Sequence, residues 1–198
     1  MRPNSSGKAV TAALAAIMLF LAQNPADSEG RPSMALSPRP VASVAQGMTL
    51  PKALAFALAK VQARCRIAIL LPSELPAPIK SAGYAVVDEA TQSHYAISLY
   101  YKLGVGDGGF AAGFSAQAKP AYDPARLPNI HVVTLARGIR GVLRTVSCGG
   151  SCGPANIWWV QGGMLYSIQL QLSPSVGNQE QRRLLVNVAD SAIQGGRR

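Results

Sequence analysis

The sequence predicts an α+β domain: a single antiparallel sheet with an N-terminal and a C-terminal helix packed on one face. Three patterns predict it. Tyr95, Ile97, Leu99 and Tyr101 alternate with His94, Ala96, Ser98 and Tyr100, the period of a half-buried strand. Gly162-Gly163 splits two strand-like runs, Ile157–Gln161 and Met164–Leu172, in the manner of a two-residue hairpin. Apolar residues at helical spacing open and close the region, and no internal repeat interrupts it.

Taken in order, the chain begins with Arg2 and Lys8 ahead of an uncharged run, Ala9 to Ala22. That run is too short to span a bilayer and has the length of a signal-peptide core. Residues 1–26 therefore read as a signal peptide or, if uncleaved, as an N-terminal anchor; a buried helix is the remaining alternative. The positions before a cut at Ala22 or Ala26 are Phe20 and Asn24, poor matches to the small residue that cleavage favours. Residues 27–47, with Pro32, Pro38 and Pro40 among Ser, Gly and Ala, read as a flexible linker. The α+β domain is expected over 48–198.

Thr49 and Pro51 fit a helix start, and Leu54, Leu58, Val61 and Cys65 fall on one helical face. Ile67 to Leu71 reads as a short apolar strand stopped by Pro72. Strand periodicity begins at Tyr84. Gly104, Gly106, Gly108 and Gly109 with Asp107 make a turn into Phe110–Ser115, a Pro-rich loop runs to Pro128, and strands are expected near 130–136 and 141–147. In the closing hairpin, Gln161 should face Met164, Trp159 Tyr166 and Ile157 Ile168. One face then holds Ile157, Trp159, Met164, Tyr166, Ile168, Leu170 and Leu172. The other, expected to be mostly wet, holds Trp158, Val160, Leu165, Ser167, Gln169 and Gln171. A last helix from about Asn178 to Ile193 offers Leu184, Leu185, Val188, Ala189, Ala192 and Ile193 to cover the sheet.

Composition narrows the class. The 198 residues suffice for one domain with an extension, and 48% apolar content excludes wholesale disorder. Charged residues are only 14%, and the balance is +10, a profile of exported proteins more than of cytosolic enzymes. The expected location is periplasmic or extracellular, with an inner-membrane anchor if the leader stays attached.

The chemistry-bearing residues are few. Cys148 and Cys152 enclose Gly149, Gly150 and Ser151, and in an oxidising compartment they read as a local disulfide. The alternatives are metal binding with His94 and His131, although the spacing fits no standard zinc pattern, and free or redox-active thiols. Cys65 is read as buried, with an interchain bond as the structural alternative. No Gly-x-Ser-x-Gly elbow is present, and Gly113-Phe-Ser115 supplies only half of one. Asp88 and Glu89 should point to opposite faces of a strand. The glycines from Gly104 to Gly109 lack the Gly-Lys-Ser/Thr ending of a phosphate loop. Arg126, Arg137, Arg140 and Arg144 lie in a span without acids between Pro124 and Ile157. They read first as a solvated basic face; clustered on one sheet face, together with an exposed Trp158, they would instead attract an anion or partner: an envelope protein, anionic lipid or cell-wall polymer. Nucleic acid is not expected, because the chain reads as exported and carries no reading motif.

Leu70-Leu71-Pro72-Ser73-Glu74-Leu75-Pro76, Tyr95-Ala-Ile97-Ser-Leu99, Ser147-Cys-Gly-Gly-Ser-Cys152, Ile157-Trp-Trp159 and Leu165-Tyr166 resemble a family of uncharacterised exported bacterial proteins. With the helix ending Ala189-Asp-Ser191-Ala192-Ile193, the resemblance covers about residues 60 to 194. The aromatic hairpin followed by a helix is also similar, more distantly, to C-terminal extracytoplasmic domains of anti-sigma-factor-like membrane proteins. Neither likeness implies an activity, a cofactor or catalytic residues. The function expected is a non-enzymatic envelope binding or sensing domain. The alternatives are an enzyme or metal-binding protein using Cys148, Cys152, His94 and His131, and a structural envelope component.

Overall fold

A computed structural model describes residues 50–198 except 105–108, 119–122 and 150. The expected leader, linker and Thr49 cap, and the centre of the glycine turn, lie outside the described residues. The elements are α1 (Lys52–Gln62), α2 (Ala77–Lys80), β1 (Tyr84–Ala90), β2 (His94–Tyr100), β3 (Phe110–Ala118), β4 (His131–Thr134), β5 (Arg140–Arg144), β6 (Ser147–Gly149), β7 (Ser151–Gly153), β8 (Ala155–Gln161), β9 (Met164–Leu170) and α3 (Asn178–Gly195). Seven strands pair in the order β1-β2-β3-β9-β8-β5-β4, every neighbour antiparallel. Among the described residues no helix is long and apolar enough to cross a membrane.

The hairpin β8–β9 has the register that its glycines predict: Gln161 opposite Met164, Trp159 opposite Tyr166 and Ile157 opposite Ile168. Gly162 and Gly163 have φ of 57° and 76°, the doubly positive pair that a tight hairpin matching the strand twist requires. The stacked rings of Trp159 and Tyr166, 5.4 Å between centroids, add a cross-strand aromatic contact on the core face.

Alternation along the strands and the stripes of the helices meet in one core. Leu54, Ala57 and Val61 of α1 and Leu185, Val188, Ala189, Ala192 and Ile193 of α3 cluster with Tyr95, Ile97, Leu99, Phe114, Ile157 and Ile168. Both sheet edges carry devices that discourage further pairing. The β1 edge has a bulge between Val87 and Glu89, and the β4 edge is four residues long.

Four expectations need correction. The sheet is not the only one, because β6 and β7 form a separate two-stranded ribbon that holds Cys148 opposite Cys152. Helix α1 ends at Gln62, so Cys65 lies beyond it and is half-buried, its Sγ donating to the His94 carbonyl at 3.2 Å. The run Ile67–Leu71 is not a strand, although Ile69, Leu70 and Leu71 are buried. Its backbone bonds to side chains instead: Tyr95 Oη accepts from the Leu70 amide and donates to the Leu70 carbonyl, each at 3.2 Å, and Tyr166 Oη donates to Ala68 O at 3.0 Å. Lastly, the second face of the hairpin is wet only in part: Val160, Ser167, Gln169 and Gln171 keep solvent exposure, but Trp158 and Leu165 are buried. Trp158, Leu165 and Val142 form a small second cluster, covered by Leu127 and Ile130 from the loop that leads into β4.

Candidate functional site

Strand alternation assembles the first site. Val142 pairs with Trp158, so Arg140 and Arg144, two residues either side of Val142, share that face of the sheet. Val160 and Leu165 pair on the same face. Over it passes the strap 123–130. Asp123 caps its 3-10 turn, Pro124–Arg126, by accepting from the Ala125 amide at 3.0 Å. Between strap and strands lies a groove of about 360 Å³, walled by Pro124, Ala125, Val142, Trp158, Val160 and Leu165, with Asp123 and Arg140 on its lining. Val160 is 61% exposed there, an apolar β-branched side chain presented to solvent.

The predicted site residues divide. Arg140 and Trp158 line the groove, Arg144 lies on the same face, and Arg126 belongs to the strap. Arg126 is paired with Asp123 only at 3.8 Å, with its side chain 87% exposed, so this ion pair contributes little to holding the strap. Trp158 is not the exposed aromatic expected. It is 4% exposed, because the strap supplies a partner surface that no sequence periodicity announces. Arg137 is elsewhere, in the 3-10 turn Ala136–Gly138 between β4 and β5.

The cysteines and histidines do not converge. Cys148 and Cys152 are bonded to each other in the exposed ribbon. His94 belongs to the outer face of β2, its Nδ1 at 3.0 Å from Glu89. His131 is on β4 and pairs with the core residue Leu143; its Nε2 accepts from Arg182 Nη2 at 2.8 Å. Five interstrand spacings separate β2 from β4, roughly 24 Å, with the two rings on opposite faces. Among the described residues no three His, Cys, Asp or Glu side chains form a metal-binding group. The bulge in β1 also brings both carboxylates to the outer face: Asp88 accepts from Ser98 Oγ at 2.6 Å while Glu89 meets His94. They serve as local partners there, and no hydrogen bond among the described residues joins either imidazole to a Ser or Cys side chain.

A second cleft escapes sequence reasoning altogether. Of about 490 Å³, it opens where the irregular segment 66–70, the β4–β5 turn, the β8–β9 turn and the end of the chain meet. Arg66, Arg137 and Arg197 line it, with Ile67, Met164 and Gln161 among its walls and, among the described residues, no acidic side chain. The Arg197 Nη2 donates to the Arg66 carbonyl at 3.3 Å across 131 residues of sequence. Asp190 of α3 fixes the β4–β5 turn by accepting from the Ala136 amide at 2.5 Å. Burial pushes the Tyr166 phenol in the cleft wall upward, partly opposed by the positive Arg197. No local pattern could have linked Arg66, Arg137 and Arg197, because each is brought in by a different tertiary contact.

No family model, curated protein or solved structure matches the chain.

Proposed function

We propose that the chain is an exported, non-enzymatic binding domain of the cell envelope, and that its partner seats in the groove of the outer sheet face. The observation that carries this reading is the exposed Val160 beside Trp158 and Val142, with the Arg140 guanidinium at the same groove. An apolar floor with Arg140 at its rim, and with the Asp123 carboxylate engaged by the Ala125 amide and Arg126, suits an amphiphilic anionic partner: an anionic lipid first, with an envelope protein or cell-wall polymer as the other classes. With α1, α2 and α3 all contributing to the core cluster, the outer face is the side left for a partner. The resemblance to exported proteins and the Cys148–Cys152 bond support the compartment.

Co-sedimentation tests the reading with three probes: vesicles of phosphatidylglycerol, vesicles of phosphatidylcholine, and purified cell-wall sacculi. Binding to phosphatidylglycerol or sacculi, lost in Val160→Asp and reduced in Arg140→Gln, is the expected result. Val160 is exposed, so the substitution leaves the core intact. Absence of binding to all three, or binding unchanged in both variants, refutes the reading.

A further inference from the structure

The geometry points to the cleft of Arg66, Arg137 and Arg197 as a binding site for the phosphate group of a small organic phosphate, separate from the outer groove. Arginines from three distant segments line one concavity, and among the described residues no carboxylate lines it. Like charges gathered in this way repel one another, and an anion between them removes that cost. The backbone at each of these arginines is also held in place. Arg137 adopts φ 60°, ψ 22°, a left-handed conformation uncommon for a residue with a β-carbon, in a turn anchored by Asp190. Arg66 is fixed through its amide to Gln92 O at 3.1 Å and through its carbonyl to Arg197. Arg197 follows Gly196, and the next amide, that of Arg198, donates to Ile69 O at 3.2 Å.

The ligand class follows from charge, donors and size. Guanidinium forks bind carboxylate and phosphate alike, but three of them match a dianionic group with several acceptor oxygens better than a single-charged carboxylate. The Gln161 Oε1 is buried without a hydrogen-bond partner and belongs to a residue of the cleft wall. It is an acceptor, so it calls for a hydroxyl or amine beside the phosphate. Ile67 and Met164 give a short apolar wall. At about 490 Å³ the space falls in the range of small-molecule sites and exceeds what a bare phosphate ion fills. A phosphate monoester on a small hydroxylated body meets all three requirements, either as a soluble metabolite or as a lipid headgroup.

Isothermal titration at low salt with glycerol phosphate, and vesicle co-sedimentation with phosphatidic acid, distinguish the sources. Arg137→Gln and the double variant Arg66→Gln/Arg197→Gln should each weaken binding by about ten-fold or more, the usual loss for a charge-assisted hydrogen bond. All three side chains belong to exposed residues, so the fold survives, as circular dichroism would verify. Binding of glycerol phosphate that is lost in these variants establishes a soluble ligand; binding of phosphatidic acid alone, lost likewise, establishes a headgroup site. Retention of affinity in Val160→Asp keeps the result independent of the outer groove. Binding to neither probe, or an equal loss in the outer-face control Arg140→Gln, overturns the inference.

Discussion

Replacing Tyr95 by Phe isolates the interaction that lets a non-helical, non-strand segment run through the core. The Tyr95 hydroxyl accepts from the Leu70 amide and donates to the Leu70 carbonyl, both at 3.2 Å, and Leu70 is 4% exposed. Phe keeps the ring packing and removes only the oxygen, leaving two backbone groups without their partner. Each buried unsatisfied group costs about 1–3 kcal/mol. The carbonyl is the cheaper of the two, and Phe regains part of the loss because no phenol need be dehydrated. The expected loss is therefore about 2–4 kcal/mol, a fall in Tm of roughly 5–15 °C for a domain of this size. Tyr166→Phe, which removes a single bond to Ala68 O, should cost about 1 kcal/mol. Urea unfolding followed by tryptophan fluorescence measures both. A Tyr95→Phe loss below about 0.5 kcal/mol at unchanged m-value, or one smaller than that of Tyr166→Phe, would refute the account of the segment.

Burial raises the Tyr95 phenol far above its ordinary value near 10, so its contribution to stability is intact below that pH and is lost as the pH climbs above it. Tyrosinate absorbance should accordingly rise together with unfolding, and in Tyr95→Phe this coupling should weaken. Reducing Cys148–Cys152 should cost no more than about 2 kcal/mol, because the loop it closes is very short and the ribbon is exposed; far-UV circular dichroism of the Cys148→Ser/Cys152→Ser protein should match wild type. Gly141→Ala should destabilise by about 1–3 kcal/mol in the same urea assay, since its new carbon would lie 2.8 Å from Leu135 Cδ1 and 3.3 Å from the Trp158 carbonyl. Burial pushes the Cys65 thiol up, so the folded protein should react slowly with iodoacetamide at neutral pH and run as a reductant-insensitive monomer on SDS gels.

What the sequence makes legible is whatever rests on a local rule. The Gly162-Gly163 turn and the aromatic pair flanking it determine a register, and the stripe from Leu185 to Ile193 determines the inward side of α3. The Cys-x3-Cys spacing likewise yields a local bond. Illegible features depend on partners far along the chain. Ile67–Leu71 has the composition of a strand, but hydroxyls 25 and 98 residues away take the place of a ladder. The burial of Trp158 depends on Leu127 and Ile130, which sit in a loop with no period to read. At the candidate sites, the shared face of Arg140 and Arg144 follows from strand alternation. Arg66 and Arg197 meet across 131 residues and leave no trace in either half of the chain.

The stability of the core and the shape of the basic cleft are one problem in this fold. Sheet tyrosines reach across the core to hold residues 68 and 70, and the same segment supplies Arg66, Ile67, Ala68 and Leu70 to the cleft wall. A regular strand there would have satisfied its backbone by pairing, and its alternate side chains would have pointed away from the opening. The irregular path leaves Arg66 at the rim while burying Leu70, at the cost of recruiting phenols to its amide and carbonyls. A basic surface by itself needs none of this construction, since exposed arginines anywhere on a +10 chain would provide it. The tyrosine clamp, the left-handed Arg137 and the Asp190 anchor each fix backbone rather than charge. That expense of structure on position is what separates a built anion site from a generally cationic protein.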